Sequence, residues 1–498
     1  MDPNFDNERT AAQKNLGATD FEIEALLEPI LASGVRRDQV VELTRKAWSD
    51  FSQLNAILAK ASSLPTISKD LHSGLDQIRQ LLKPDAVIHF SEIDRALTAL
   101  EGDSKQSEVG AMLYCARGLT HRLRQEYRLA AARFADAASI EELGEFSRWA
   151  YALKKAQALR DLGQDFLEDQ ALRDAIEVYE WIVDSLVSKD NNAVDWAKTT
   201  SELGTAQALL GQRIHGTKTL EKAIEHLQSA ELIQRDKADP LEWAITQNSL
   251  GNALGTLAHR QKDEEMLEAA LQAFEQALSV RSPETTPWDW ATTQNNLGAV
   301  LQTLGQRRKD PQLLKRSVEA YKSVLLIWTR DRAPLHWATT FNNLGTALRT
   351  LGEKRKGPRT LEQAVAAYRN ALAERTRDRV PEQWAMTQNN LGAALQKLGE
   401  RTEDIKAFNE AVTAYQNALK EWTQDKNPMT WAMTTANLAI AQKSLAERLA
   451  DAGAAKMALD YFESVAQVFR NASHAQYYEF ATEQIAKTRT LIDGLRGG

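Results

Sequence analysis

Cysteine is nearly absent. Among 498 residues there is one, Cys115, which excludes an internal disulfide and a multi-cysteine zinc site. Proline (12) and glycine (24) are few for this length, which favours long helices over a turn-rich β fold. Cations are not in excess. Lys plus Arg total 61 against 68 Asp plus Glu, a net charge of -7, which argues against a nucleic-acid partner, since phosphates call for a basic face. Apolar runs such as Val324-Leu325-Leu326-Ile327-Trp328 are far too short to span a bilayer. The start, Met1-Asp2-Pro3-Asn4-Phe5-Asp6, is unlike a signal or transit peptide, so the expectation is a soluble cytoplasmic protein with no membrane partner. What is present is enough apolar material for a core: 43% hydrophobic against 26% charged residues.

That material repeats. Trp149, Trp196, Trp243, Trp290, Trp337, Trp384 and Trp431 stand 47 residues apart, Tyr478 takes the next place, and alanine follows every one of the tryptophans. Pro240, Pro287, Pro334, Pro381 and Pro428 keep the same step, each three residues before its tryptophan. Leu-Gly pairs follow at Leu203-Gly204, Leu250-Gly251, Leu297-Gly298, Leu344-Gly345 and Leu391-Gly392. A fixed period of this length marks stacked repeats, each burying a face that it cannot bury alone.

Each unit reads as two helices. The first opens at the proline, whose fixed φ suits a first helical turn. In one unit it covers about Pro287 to Arg307, with Trp290, Gln294, Leu297, Leu301 and Leu304 as its stripe and Gly305 as a C-terminal breaker. The second covers about Pro311 to Thr329, with Leu314, Ser317, Tyr321 and Val324. The spacing Ala270, Phe274, Ala277 recurs as Ala364, Tyr368, Ala371 and as Ala411, Tyr415, Ala418. Alanine permits close approach of helices, and the ring fills the gap between units. The fold class is therefore all-α, a right-handed solenoid of helix-turn-helix repeats.

The Leu-Gly pair, Leu301 and the Ala-x-x-x-Tyr-x-x-Ala spacing resemble the tetratricopeptide repeat (TPR). Its unit is typically 34 residues; here the period is 47. The chain looks like long-period bacterial arrays that repeat Trp-Ala-x-Thr-Gln-Asn-Asn-Leu-Gly, as at Trp290 to Gly298 and Trp384 to Gly392. Such arrays are often fused to TIR, caspase-like or protease effectors, for which the first 63 residues are too short. Three stretches follow: 1–63, a helical N-terminal cap or adaptor; 64–148, degenerate repeats; and 149–498, tandem repeats with a C-terminal cap. In the first, helices are expected over 20–33, capped by Asp20, and 36–61, broken by Gly34; beyond Pro65 come Leu71–Leu82 and Asp85–Leu100. The final Gly494 to Gly498 reads as a frayed tail.

Tests for chemistry come back empty. Gly211 to Gly216-Thr217-Lys218 fails as a phosphate loop, because Thr217 separates glycine from lysine and no strand precedes it. The eight histidines form no close ligand pair, and Cys115 and His121 do not share a helix face. Asp161, Asp165 and Asp169 step by four, but Gly163 is expected to break that helix. No cofactor, metal site or catalytic group is expected, and the chain reads as a non-enzyme.

Binding is expected on the first helices, which line the concave face of TPR arrays. Asn248, Asn295, Asn342 and Asn389 hold one register and could grip an extended peptide backbone. A similar asparagine recurs in kinesin light chain repeats, whose groove grips peptide. The other reading is a brace between helices, assigned here to Asn296, Asn343, Asn390 and Asn437. Gln302, Arg349 and Gln396 lie two turns further on as specificity positions. The tryptophans, Trp149 to Trp431, are read as repeat core rather than a ligand cage. A basic row, Arg213, Arg260, Arg307, Lys354, Arg401 and Arg448, sits at helix ends, where cations complement the dipole. The resemblance thus implies a non-catalytic scaffold or sensor that takes a protein or peptide in its groove and regulates a separately encoded bacterial effector. The alternatives are a self-assembling solenoid using its N-terminal module and edge, with homo-oligomerisation left open, and an enzyme with an unrecognised site.

Overall fold

The computed structural model describes residues 20–33, 39–65, 67–83, 88–102 and 106–497. These hold 21 helices, and among the described residues there is no strand. The chain divides into two compact units, Met1–Val300 with Asp331–Ala333 and Leu301–Arg330 with Pro334–Gly498. Within each, successive helices pair as helix-turn-helix hairpins that stack on the next, as in a TPR-like α-solenoid.

In the first unit α1 (Asp20–Ala32) and α2 (Val40–Ser62) are followed by α3 (Lys69–Leu81), α4 (Phe90–Leu100), α5 (Glu108–Leu123) and α6 (Tyr127–Ala138). The repeats proper begin with α7 (Glu145–Asp165) and α8 (Asp169–Ser185), then α9 (Ala193–Arg213), α10 (Lys218–Lys237), α11 (Pro240–Gln261) and α12 (Glu264–Leu278). The unit division passes through α13 (Pro287–Arg307), which is followed by α14 (Pro311–Val324). The second unit continues with α15 (Pro334–Glu353), α16 (Arg359–Glu374), α17 (Pro381–Thr402), α18 (Ile405–Ala418), α19 (Pro428–Leu449), α20 (Ala452–Asn471) and α21 (Ala475–Gly497). The five periodic prolines each open a first helix, as expected.

Several boundaries differ from expectation. α7 runs through Gly163; α13 ends at Arg307, as expected, with Gly305 inside its last turn. Both glycines are points of close approach, not breakers. A Cβ on Gly305 would stand 2.9 Å from Leu314 Cγ and 3.0 Å from its backbone nitrogen; on Gly163 it would meet Leu172 Cγ at 2.5 Å. α14 stops at Val324, short of Thr329, because the chain turns there to bury Trp328, which is 4% exposed. The end of the chain is helical through Gly497, since Leu491, Ile492 and Leu495 pack on Ala446 and Ala455. Asp20 is the first helical residue rather than a cap, and Gly34, 36–38 and Asp85 lie outside the described residues.

The rings of the second helices close their own hairpins as well as joining neighbours. A Cβ on Gly251 would stand 2.7 Å from Phe274, and on Gly392 2.8 Å from Tyr415. The second helices begin on a row of aspartates in one register. Asp263, Asp310, Asp404 and Asp451 each accept from a backbone N–H two residues on, at 2.7–2.9 Å. Such a cap contributes about 1 kcal/mol. At the registers held elsewhere by Leu395 and Gly399, α21 carries Arg489 and Asp493, both exposed.

Candidate binding face

The tryptophan row lies between hairpins. Trp149 and Trp196 are buried, and the other five are half-buried. Trp149 Nε1 donates to Thr199 Oγ1 of the next hairpin at 2.9 Å, and Trp384 packs against Ala385, Ala418 and Trp422. Cations of the chain itself cover the open faces: Lys189 stands 4.3 Å from the Trp196 ring, Arg330 5.8 Å from Trp337 and Arg377 6.0 Å from Trp384.

The asparagine register splits. Asn342 is buried, and its Oδ1 accepts from Asn390 Nδ2 at 3.2 Å and Thr387 Oγ1 at 3.3 Å, tying α15 to α17. Asn248, Asn295 and Asn389 are half-buried. The side-chain oxygens of Asn248 and Asn389 meet no donor. Two turns further on, Gln302 is half-buried. Arg349 pairs with Glu353 in its own helix. Gln396 is buried, donating to Glu400 at 3.0 Å and accepting from Tyr415 Oη at 3.2 Å. A groove of about 520 Å³ runs between α17 and α18, lined by Gln388, Leu391 and Leu395 on one side and Lys406, Asn409 and Thr413 on the other.

The basic row serves helix ends, but those of the hairpin before. Arg213 donates to the carbonyls of Gly163 at 2.7 Å and Gln164 at 3.3 Å. Arg260 donates to Gln212 at 3.1 Å and Gly216 at 2.5 Å, and Arg401 to Arg355. Arg448 differs, standing 4.5 Å from the Phe408 ring.

The aspartates singled out in sequence belong to a buried ionic cluster that joins α2 to the first hairpins. Lys46 Nζ lies 2.8 Å from Asp165, Arg122 Nε 2.8 Å from Asp50, and Arg122 Nη2 and Arg160 Nη2 each 3.0 Å from Asp161. Burial alone would raise the Asp161 pKa, but Arg160, Lys46 and Arg122 hold the carboxyl well below the usual range. Asp169 pairs separately with Arg213 at 3.2 Å. These carboxylates are matched by cations; Arg160 is next to Asp161 in the chain, but Arg122 lies 39 residues from Asp161 and Lys46 119 from Asp165, with no sequence signal to link them.

Cys115 is fully buried, which pushes its thiol up to about 11, far from a reactive thiolate. His121 is buried with Nδ1 2.7 Å from Glu126. Among the described residues no three His, Cys, Asp or Glu side chains group to hold a metal ion, and no helix is long and apolar enough to cross a membrane.

One further column was missed because its residue type alternates. Arg281, Trp328, Arg375 and Trp422 are each buried at the junction where a second helix gives way to the next first helix, with a backbone N–H to the residue four before. The 47-residue step would have found it.

Two segments, 290–326 and 384–423, match the family model described as tetratricopeptide repeat. No curated protein matches the sequence. Three solved structures are similar in repeat architecture. A Rap protein complexed with competence and sporulation factor has 12% identity and TM-score 0.38, covering 77% of this chain and 99% of its own. The TPR2AB-domain:pHSP90 complex of yeast Sti1 has 17% identity and TM-score 0.22, covering 67% and 98%. The human IFIT1 dimer with m7Gppp-AAAA has 11% identity and TM-score 0.36, covering 91% and 96%. At such identities and scores these likenesses say nothing of what this chain binds. What the matched segments and the stacked hairpins have in common is a TPR-like helical-repeat fold.

Proposed function

We propose that this chain is a non-catalytic scaffold that takes a protein or peptide along the exposed face of its first helices. One observation supports the reading: Asn248 and Asn389 are half-buried in one register, and their side-chain oxygens, themselves buried, meet no donor within the protein. An amide both donates and accepts, so each of these asparagines, in its own unit, suits the N–H and C=O of an extended backbone. Asn342, in the same register, is engaged as a brace and is not assigned to the ligand. Gln302 and Arg349 remain as flanking positions; Gln396 is closed by Tyr415 and Glu400. Regulation of a separately encoded signalling enzyme is the role that such capture would serve.

The test is affinity capture from native lysate with the wild type and with Asn248→Ala plus Asn389→Ala. Retention should fall at least several-fold in the variant while helical circular dichroism is unchanged. The captured material should survive nuclease. Equal retention by both proteins overturns the assignment, and release by nuclease makes the partner a nucleic acid.

A further inference from the structure

Arg281 is a buried cation whose charge is not matched. It is 6% exposed, and no carboxylate among the described residues forms an ion pair with it. Its hydrogen bonds come from Nη1 alone, to Thr293 Oγ1 at 2.6 Å and the backbone oxygen of Asp289 at 3.3 Å. No hydrogen bond from Nε or Nη2 is found among the described residues. Burial depresses the guanidinium pKa, and the more distant Asp289 carboxylate only partly offsets this. A buried charge in that condition costs several kcal/mol unless a counter-charge or donor-matched acceptor arrives.

Its counterpart two repeats on lacks this opening. Arg375 donates from Nη1 to Thr387 Oγ1 at 2.9 Å, as Arg281 does to Thr293, but its Nη2 also donates to Thr339 Oγ1 at 2.9 Å. The register that puts Thr339 beside Arg375 puts Ile245, 45% exposed, in the same place for Arg281. Isoleucine has no acceptor to offer. The free edge, Nε with Nη2, is the one that grips a carboxylate side-on with two parallel N–H bonds. This chain does so at Arg45, where Nε and Nη2 hold the two oxygens of Glu42 at 3.1 and 2.8 Å.

We propose that Arg281 is an anion site that receives one carboxylate at the junction of α12 and α13. The step from a carboxylate to an acidic peptide rests on the capture role above; the site itself does not. The tests use the full chain and the ¹⁵N–Hε resonance of Arg281, assigned by its loss in Arg281→Lys. Sodium acetate, exchanged for chloride at constant ionic strength, should move that resonance saturably. N-acetyl-Ala-Glu-Ala-amide should do the same and its Gln analogue should not. Tighter binding of the peptide than of acetate assigns the source to a partner chain; the reverse assigns it to a free organic acid. Ile245→Thr, at an exposed position that leaves folding intact, supplies the missing hydroxyl and should weaken the acetate response about tenfold, the scale of one charge-assisted bond. A linear response, or one of equal strength in Ile245→Thr, overturns the site. Because no partner is needed, failure here is distinct from failure of the lysate capture.

Discussion

Arg213 Nη1 stands 2.7 Å from the backbone oxygen of Gly163 and donates to it across one whole repeat. Gly163 lies in the last turn of α7, where four carbonyls have no partner inside the helix. The positive side chain therefore serves two ends at once, the dipole of its own helix and the open carbonyls of the one before.

Removing that link should loosen one hairpin from its predecessor. Arg213→Gln and Arg260→Gln are each expected to cost about 1–2 kcal/mol, the range for hydrogen bonds to a charged group in a partly exposed setting. Arg448→Gln should cost less, since its carbonyl contact, Ser444 at 3.2 Å, lies within its own helix. Midpoints of urea unfolding measure the ranking, and equal losses at all three positions would refute it.

Two helical glycines should respond oppositely to alanine. At Gly392 a Cβ would lie 2.8 Å from the Tyr415 ring, which is wedged between hairpins, so Gly392→Ala should cost about 1–3 kcal/mol. At Gly255 the nearest atom is Val300 Cγ2 at 3.8 Å, so Gly255→Ala should gain up to about 1 kcal/mol from helix propensity. Thermal unfolding of the two variants gives the signs directly.

The Cys115 thiol, pushed up to about 11 by full burial, should be silent toward a disulfide reagent at pH 8. One thiol per chain should appear on adding guanidinium. Rapid labelling of the native protein would show that α5 opens far more readily than its packing implies.

Burial lowers the pKa of His226 from its ordinary 6.5, with the ring Nδ1 2.7 Å from Gln207 Oε1. The unfolded chain therefore takes up a proton before the folded one does. Stability contributed here is fully present above about pH 6.5 and is lost as pH falls through the folded pKa. Between pH 7.5 and 5.5 the wild type should lose more stability than His226→Gln. Parallel pH profiles would remove His226 from the account.

The period was legible because identical hairpins must repeat identical contacts, and the five prolines mark helix starts whatever surrounds them. Gly305 was misread because a breaker and a close-approach glycine look alike until Leu314 is seen against it. Asn248 and Asn342 share a register yet differ in burial, which depends on neighbours such as Asn390 in the next first helix. The ionic cluster was hidden for another reason. Lys46 and Asp165 are 119 residues apart and obey no period.

The alternation of Arg281, Trp328, Arg375 and Trp422 limits how the array can change in length. Excising one 47-residue module would set two like junctions side by side, guanidinium next to guanidinium or indole next to indole. Excising two, 94 residues, would restore the order. Between positions 281 and 422 the order thus survives only the loss or gain of hairpins in twos; at Gln234 and Phe469, in the same register, the alternation stops.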